Sequence, residues 1–421
     1  MKKRIIFKLL FLTVLFSLVI VNVYAVINSD EQTRSTSYAS ALSATNINIS
    51  DSALTTILND AVSTYNDCGY VANSKKDPSA LVILSNAISS KVQLYFAHGY
   101  ASSDRIIFPN GGLINVEGGA TISGNTYYGL DMVDWTTKKL VTVSTCYSAG
   151  SEVVQYLDSF AAEICRLGCE MTVGWYTAIP GFYGPEWLGR YHDKLRIGDN
   201  VLDAILYANE MNEPIVADYG SYKNVKVFSH TGSTTSIIEN NSRQNLSGGK
   251  NNLIVTLAND KVYTKKELEK CLEKIDLNFD INNYHIVEKE GVYVCNIETG
   301  TEKKVAGYID ANVKVGDFIT NLGYTVVLDE KDNIKAVYDY GVKNAIERNV
   351  INNDSKDFVI NRSIKENFIK KAKDNHLNEK IIKEDIMFFY NVDENRKEVI
   401  VLLKIQDKDL NVYNKTYTYE I

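Results

Sequence analysis

Two stretches of this chain end in residues that could do chemistry together. Lys139 to Gly150 reads Lys-Leu-Val-Thr-Val-Ser-Thr-Cys-Tyr-Ser-Ala-Gly, a β-branched run that delivers Cys146 into the small, turn-prone Ser148-Ala149-Gly150. Upstream, Lys91-Val-Gln-Leu-Tyr-Phe-Ala ends in His98-Gly99. A neutral thiol is a modest nucleophile and needs a base or a depressed pKa. We therefore read Cys146 as a nucleophile and His98 as its general base. Acyl transfer also needs donors for a developing oxyanion. Gly99 has no side chain to keep its N–H from a substrate carbonyl, and the N–H of Cys146 is the second donor. A helix after Cys146 would add a partial positive charge that favours thiolate.

Such residues work only if strands carry them to one place, and the chain from Asp51 has the pattern for that. Leu54, Ile57, Leu58, Ala61, Val62 and Tyr65 recur at helical spacing, and Asp77-Pro78 opens a second helix that leads into strand 91–97. Arg105–Phe108 and Leu113–Val116 around Asn110-Gly111-Gly112 predict a hairpin. A short helical piece over Tyr127–Trp135 leads to the Cys146 strand. Val153, Val154, Leu157, Phe160, Ala161, Ile164 and Leu167 predict an amphipathic helix from Ser151 or Glu152 to Gly168. Strand 170–175, helices over 186–195 and 201–209, and strand 225–228 ending at His230 complete the unit. Alternating strands and helices place 51–235 in the α/β class, with a mostly parallel sheet flanked by helices.

Around that unit the composition changes. Residues 1–25 have a signal peptide's layout: basic Lys2, Lys3, Arg4 and Lys8, apolar Leu9 to Val21, then Val23-Tyr24-Ala25. The apolar run is shorter than the roughly 20 residues that span a bilayer, so the expectation is export, extracellular or at the cell envelope, without stable membrane insertion. Residues 26–50, rich in Ser, Thr, Ala and Asn, read as a flexible leader, and 236–252 as a linker. Residues 253–421 form a smaller α+β accessory region of higher charge density, one or two modules, with no motif that carries chemistry. A net charge of -7 argues against a broad basic surface for nucleic acid. The six cysteines lack metal-ligand spacing, so neither metal nor cofactor is expected.

The pairing of Leu-Tyr-Phe-Ala-His98-Gly99 with Leu-Val-Thr-Val-Ser-Thr-Cys146-Tyr-Ser-Ala-Gly150 resembles the caspase-like cysteine peptidases of clan CD, and in pattern the CHAT-domain, gingipain and clostripain-like members most. Glu170-Met-Thr-Val-Gly-Trp175 and Asp199-Asn-Val-Leu-Asp-Ala204 extend the resemblance, which covers residues 65–235. It implies a caspase-like fold, a His98/Cys146 dyad, an oxyanion hole from the backbone N–H groups of Gly99 and Cys146, and a protein or peptide substrate. Trp175 falls where such members often build a wall of the substrate pocket. Thr145 departs from the Ala or Gly common before the cysteine. Asp131, Asp134, Glu186 and Asp193, or Arg105, Arg190 and Arg196, are the charged residues from which a pocket preference could come.

Two other readings compete. An α/β-hydrolase would use Ser148 as nucleophile and His230 as late base, but its strained elbow wants Gly where Cys146 stands. A catalytically silent caspase-like binding or envelope protein would keep the scaffold without turnover.

Overall fold

A computed structural model describes residues 36–45, 47, 49–179, 181, 184–214, 220–239, 253–255, 265–274, 279–343 and 360–421. The 1–25 segment and most of the 236–252 linker lie outside these residues.

The first half supplies β1 (Tyr38–Ser43), α1 (Asp51–Asp67), β2 (Val71–Lys76), α2 (Ala80–Ser89), β3 (Ser90–Phe96), β4 (His98–Gly99), β5 (Arg105–Phe108), β6 (Gly111–Ile114), β7 (Ala120–Ile122), β8 (Asn125–Gly129) and β9 (Leu140–Ser144). It continues through α3 (Phe160–Arg166), β10 (Met171–Trp175), α4 (Gly184–Arg196), α5 (Val201–Met211) and β11 (Val225–Ser229). Beyond it come β12 (Leu253–Val255), α6 (Lys265–Glu273), β13 (Tyr284–Asn296), β14 (Thr301–Val315), β15 (Phe318–Leu328), β16 (Ile334–Tyr340), α7 (Arg362–Lys373), β17 (Lys380–Asn391), β18 (Arg396–Gln406) and β19 (Val412–Glu420).

Residues 38–229 have the expected mixed α/β class. Strands run in the order β2-β1-β3-β9-β10, all parallel, with β11 antiparallel to β10. Side chains alternate across this sheet, as a two-residue period requires. Val92, Leu94 and Leu140 meet α1, α4 and α5 on one face, while Tyr95, Val141 and Val143 meet α2 and α3 on the other. Serine side chains start several of these helices: Ser50, Ser79 and Ser159 each accept the N–H three residues on, satisfying a donor that the first turn leaves free.

Four local expectations are corrected. Residues 38–43 of the expected leader form β1, a strand between β2 and β3; its Ala39, Ser40, Ala41 and Leu42 are fully buried. A strand covered on both faces needs no alternation, and small residues hid it. Tyr127–Trp135 holds no α-helix: it carries the end of β8, a 3-10 helix at Leu130–Met132 and the start of another at Trp135–Thr137, tied by the Trp135 indole N–H to the Leu130 carbonyl at 2.7 Å. The helix expected from Ser151 starts only at Phe160, because Ser151 Oγ takes the N–H groups of Val153 and Val154 into a turn and Ser159 provides the cap. Val153, counted toward the buried face, is 77% exposed.

The accessory region does not stand apart. β13 pairs parallel with β11, from Val225↔Val292 to Ser229↔Asn296, so the same sheet continues through β14, β15, β17, β18 and β19. The stretch Tyr38–Ile421 is one compact unit. A buried ion pair crosses within it: Lys223 Nζ lies 2.6 Å from Asp310 Oδ1, neither side chain exposed, and both groups hydrogen-bond the Thr325 hydroxyl.

Candidate active site

β3 and β9 are neighbours, in register Phe96↔Ser144. His98 and Cys146 therefore each stand two residues beyond a matched pair, at the carboxyl ends of adjacent parallel strands. Both line one small cavity of about 60 Å³, together with Phe96, Ser144, Ile179 and Tyr222. That volume holds a few waters.

Each residue is fixed by a separate device. His98 and Gly99 leave the central sheet and pair with Ile107 and Ile106 as the first strand of a second sheet, ordered β4-β5-β6-β8-β7. The hairpin expected at 105–116 thus has a purpose: it grips the backbone of the histidine. The cysteine loop is pinned from β10, where Tyr147 N–H donates to the Thr177 carbonyl at 3.1 Å and Ala149 N–H to the Trp175 carbonyl at 2.9 Å. Tyr147 takes a left-handed φ of 60° to make this turn, a conformation that costs a non-glycine residue about 1 kcal/mol or more.

Gly99 joins the two devices. A Cβ at this position would stand 2.1 Å from the Cys146 carbonyl oxygen and 2.8 Å from Thr145 Oγ1. The absent side chain lets the histidine and cysteine loops touch, a packing reason added to the one drawn from oxyanion chemistry.

The thiol is half-buried, and the N–H of Ile179 donates to its sulfur at 3.4 Å. Burial pushes the Cys146 pKa up, and the Ile179 bond offsets this only in part. The depressed pKa expected from a helix directly after the cysteine has no basis here, since α3 begins fourteen residues later.

Other residues singled out in the sequence sit elsewhere. Trp175 is fully buried, its indole N–H bonded to the Tyr222 carbonyl at 3.0 Å and its ring against Trp187; Tyr222 is the one that reaches the cavity. Ser148 Oγ donates to the Val143 and Thr145 carbonyls and accepts Trp175 N–H, so it braces the loop. His230 pairs with Glu298. Among the candidate charges, Asp131 accepts Gly118 N–H, Asp134 caps Trp135–Thr137, Glu186 pairs with Arg190, and Arg196 with Asp67 and Asp193. Arg105 is buried beside Asp104, under the Tyr100 ring. All six cysteines are free thiols, and among the described residues no cluster of ligands could hold a metal ion.

A second hollow of about 440 Å³ opens beyond Tyr147, walled by Glu152, Tyr156, Tyr176 and Lys226. The Lys226 ammonium lies over the Tyr156, Tyr176 and Tyr293 rings at 4.4, 4.9 and 5.1 Å and pairs with Glu302. No feature of the sequence pointed to this aromatic box, because its members come from four separate strands and loops.

No protein-family profile matches this chain, and no curated protein does. Among solved structures it is similar to the crystal structure of caspase-1 from Spodoptera frugiperda, at 11% identity and a TM-score of 0.28, over 48% of this chain and 91% of that chain.

Proposed function

We propose that this chain is an exported cysteine endopeptidase of the caspase-like clan, near its CHAT, gingipain and clostripain-like members, working through His98 and Cys146. One observation carries the reading: the Phe96↔Ser144 register delivers an imidazole and a thiol to the same cavity at the carboxyl ends of adjacent strands. That is where an open parallel sheet places its functional crevice.

In this reading His98 takes the proton of the Cys146 thiol as the sulfur attacks the scissile carbonyl. The N–H groups of Gly99 and Cys146 receive the oxyanion. The imidazolium then returns its proton to the leaving amine as the C–N bond breaks. Water, deprotonated by His98, cleaves the thioester and restores the thiol. Burial raises the Cys146 pKa, which disfavours thiolate and gives a neighbouring base a role in this mechanism.

The basic and apolar N-terminal segment supports export to the extracellular space or the envelope. Ser148, bonded on three sides, is a brace, which weighs against the serine-hydrolase alternative. The test is cleavage of a mixed peptide library by the mature protein, with Cys146→Ala and His98→Ala alongside. Both variants should lose turnover while keeping the wild-type circular dichroism. Turnover that survives iodoacetamide but not a fluorophosphonate would refute the cysteine mechanism.

A further inference from the structure

The cavity at Cys146 has a wall that the dyad does not require, the last strand of the chain. Asn414, Lys415 and Thr416 of β19 line it opposite His98 and Cys146. Ala101 N–H, three residues after His98, donates to the Val412 carbonyl at 3.0 Å. A strand edge binds an extended peptide through bonds of this kind. Side chains complete the seat. Asn414 Nδ2 donates to the Tyr147 hydroxyl at 2.8 Å, and Arg105 donates to Asn411 Oδ1 at 2.8 Å. Val412 and Cys146 both pack against the cluster of Ala101, Tyr147 and Ala178. Next along the same hairpin, Lys404 of β18 pairs with Glu152 on the wall of the second hollow.

Lys415 shows that the strand is held by its backbone and neighbours and not drawn in by an acidic pocket. Among the described residues no carboxylate lines the cavity, and burial lowers the pKa of the Lys415 ammonium. The element that carries β19 is the meander β17-β18-β19 at one edge of the sheet. Phe388, Val399, Val401, Leu403 and Ile405 pack with Ala372 of α7 and Phe318 of β15, while Met387, Phe389 and Ile400 reach the main core. The ladder joining this piece to the rest of the sheet is three residues long, Phe318–Thr320 against Phe388–Tyr390.

We infer that residues 411–416 occupy the peptide-binding groove as an internal, strand-shaped competitor, and that a substrate reaches Cys146 only when the β18–β19 hairpin lifts. The inference rests on the peptidase reading, and it specifies the ligand class: an extended polypeptide segment that takes over the Ala101 N–H.

The test separates the two. Two variants loosen the seat without touching the dyad: Asn414→Ala, and Val412→Asp combined with Asn414→Ala. In each, the rate of N-ethylmaleimide addition to Cys146 is followed by peptide mapping, and cleavage of a mixed peptide library is measured in parallel. Circular dichroism confirms the fold. The single variant should label about threefold to tenfold faster than wild type, the worth of one hydrogen bond. The double variant, with a charge forced into an apolar contact, should label faster still, by about a hundredfold. Equal labelling rates across folded wild type and N414A overturn the cap. Faster labelling together with faster cleavage supports both readings. Faster labelling with no cleavage in any form supports the cap and refutes the peptidase.

Discussion

Replacing Lys223 by Met should destabilise the whole unit, because it removes the ammonium that lies 2.6 Å from Asp310 in a place where neither side chain meets water. Burial lowers the Lys223 pKa while Asp310 raises it again, so each charge is tolerated only because of the other. Breaking such a pair by removing one partner costs about 3–5 kcal/mol. An unfolding entropy of about 2.1 cal/mol/K per residue, over a unit of about 380 residues, gives about 0.8 kcal/mol per degree. A loss of about 4 kcal/mol then lowers the Tm by about 5 °C. The double variant K223M/D310L, which replaces the pair by apolar groups, should recover most of that loss. Scanning calorimetry on the wild type, both single variants and the double variant closes a double-mutant cycle. If K223M melts within about 1 °C of wild type, or if the single effects simply add, the pair does not hold the two halves of the sheet together.

Three further outcomes follow from the site and its surroundings. Gly99→Ala should abolish turnover and change the environment of Cys146, because the new methyl meets the Cys146 carbonyl at 2.1 Å; unchanged kcat/KM would refute the contact. Burial, then the carboxylates of Glu186 and Asp393, push Glu213 up to about 7. A raised carboxyl pKa means stability that is present near pH 4 and is lost as pH rises toward 7, so Glu213→Gln should gain in Tm relative to wild type at pH 8 and not at pH 4.5; a difference that does not vary with pH refutes this. His192, fully buried against Tyr65 and next to Arg196, is held down at about 3. Its neutral form contributes stability that is present above about pH 6.5 and is lost as pH falls toward 3. Its ring protons should show no titration by NMR between pH 7 and pH 4.5, and a midpoint near 6.5 would show that the ring meets solvent.

The candidate residues of this site could be picked out by type more readily than the construction that brings them together. An apolar run ending in His98-Gly99 and a β-branched run ending in Cys146 are local patterns, and local patterns survive in a sequence. That the two runs lie side by side in register is a long-range pairing, which no window of residues encodes. The misread helix at 151–167 shows the same limit from the other direction. Its apolar residues have helical spacing, but Ser151 and Ser159 offer their hydroxyls to backbone N–H groups and divert the first half into a turn. β1 consists of small residues that a doubly covered strand accepts, and Trp175 is a core residue, fully buried, where the resemblance implies a pocket wall. Nothing in Val-Tyr-Asn-Lys-Thr at 412–416 says that this strand crosses the cysteine, since its neighbours there lie about 270 to 310 residues upstream.

The sheet that runs unbroken from β11 into β13 makes covalent and structural continuity different things in this protein. A cut between Glu239 and Leu253 would leave two polypeptides, the first bearing His98 and Cys146 and the second bearing the strand that lies over them. The Val225–Ser229 ladder against Val292–Asn296 and the Lys223–Asp310 pair would still bridge the break. Such a nicked protein should show two bands on a denaturing gel and one peak on a native column. The His98–Cys146 cavity and the strand that lines it would then belong to two subunits of a heterodimer, made from one chain without either of them having moved.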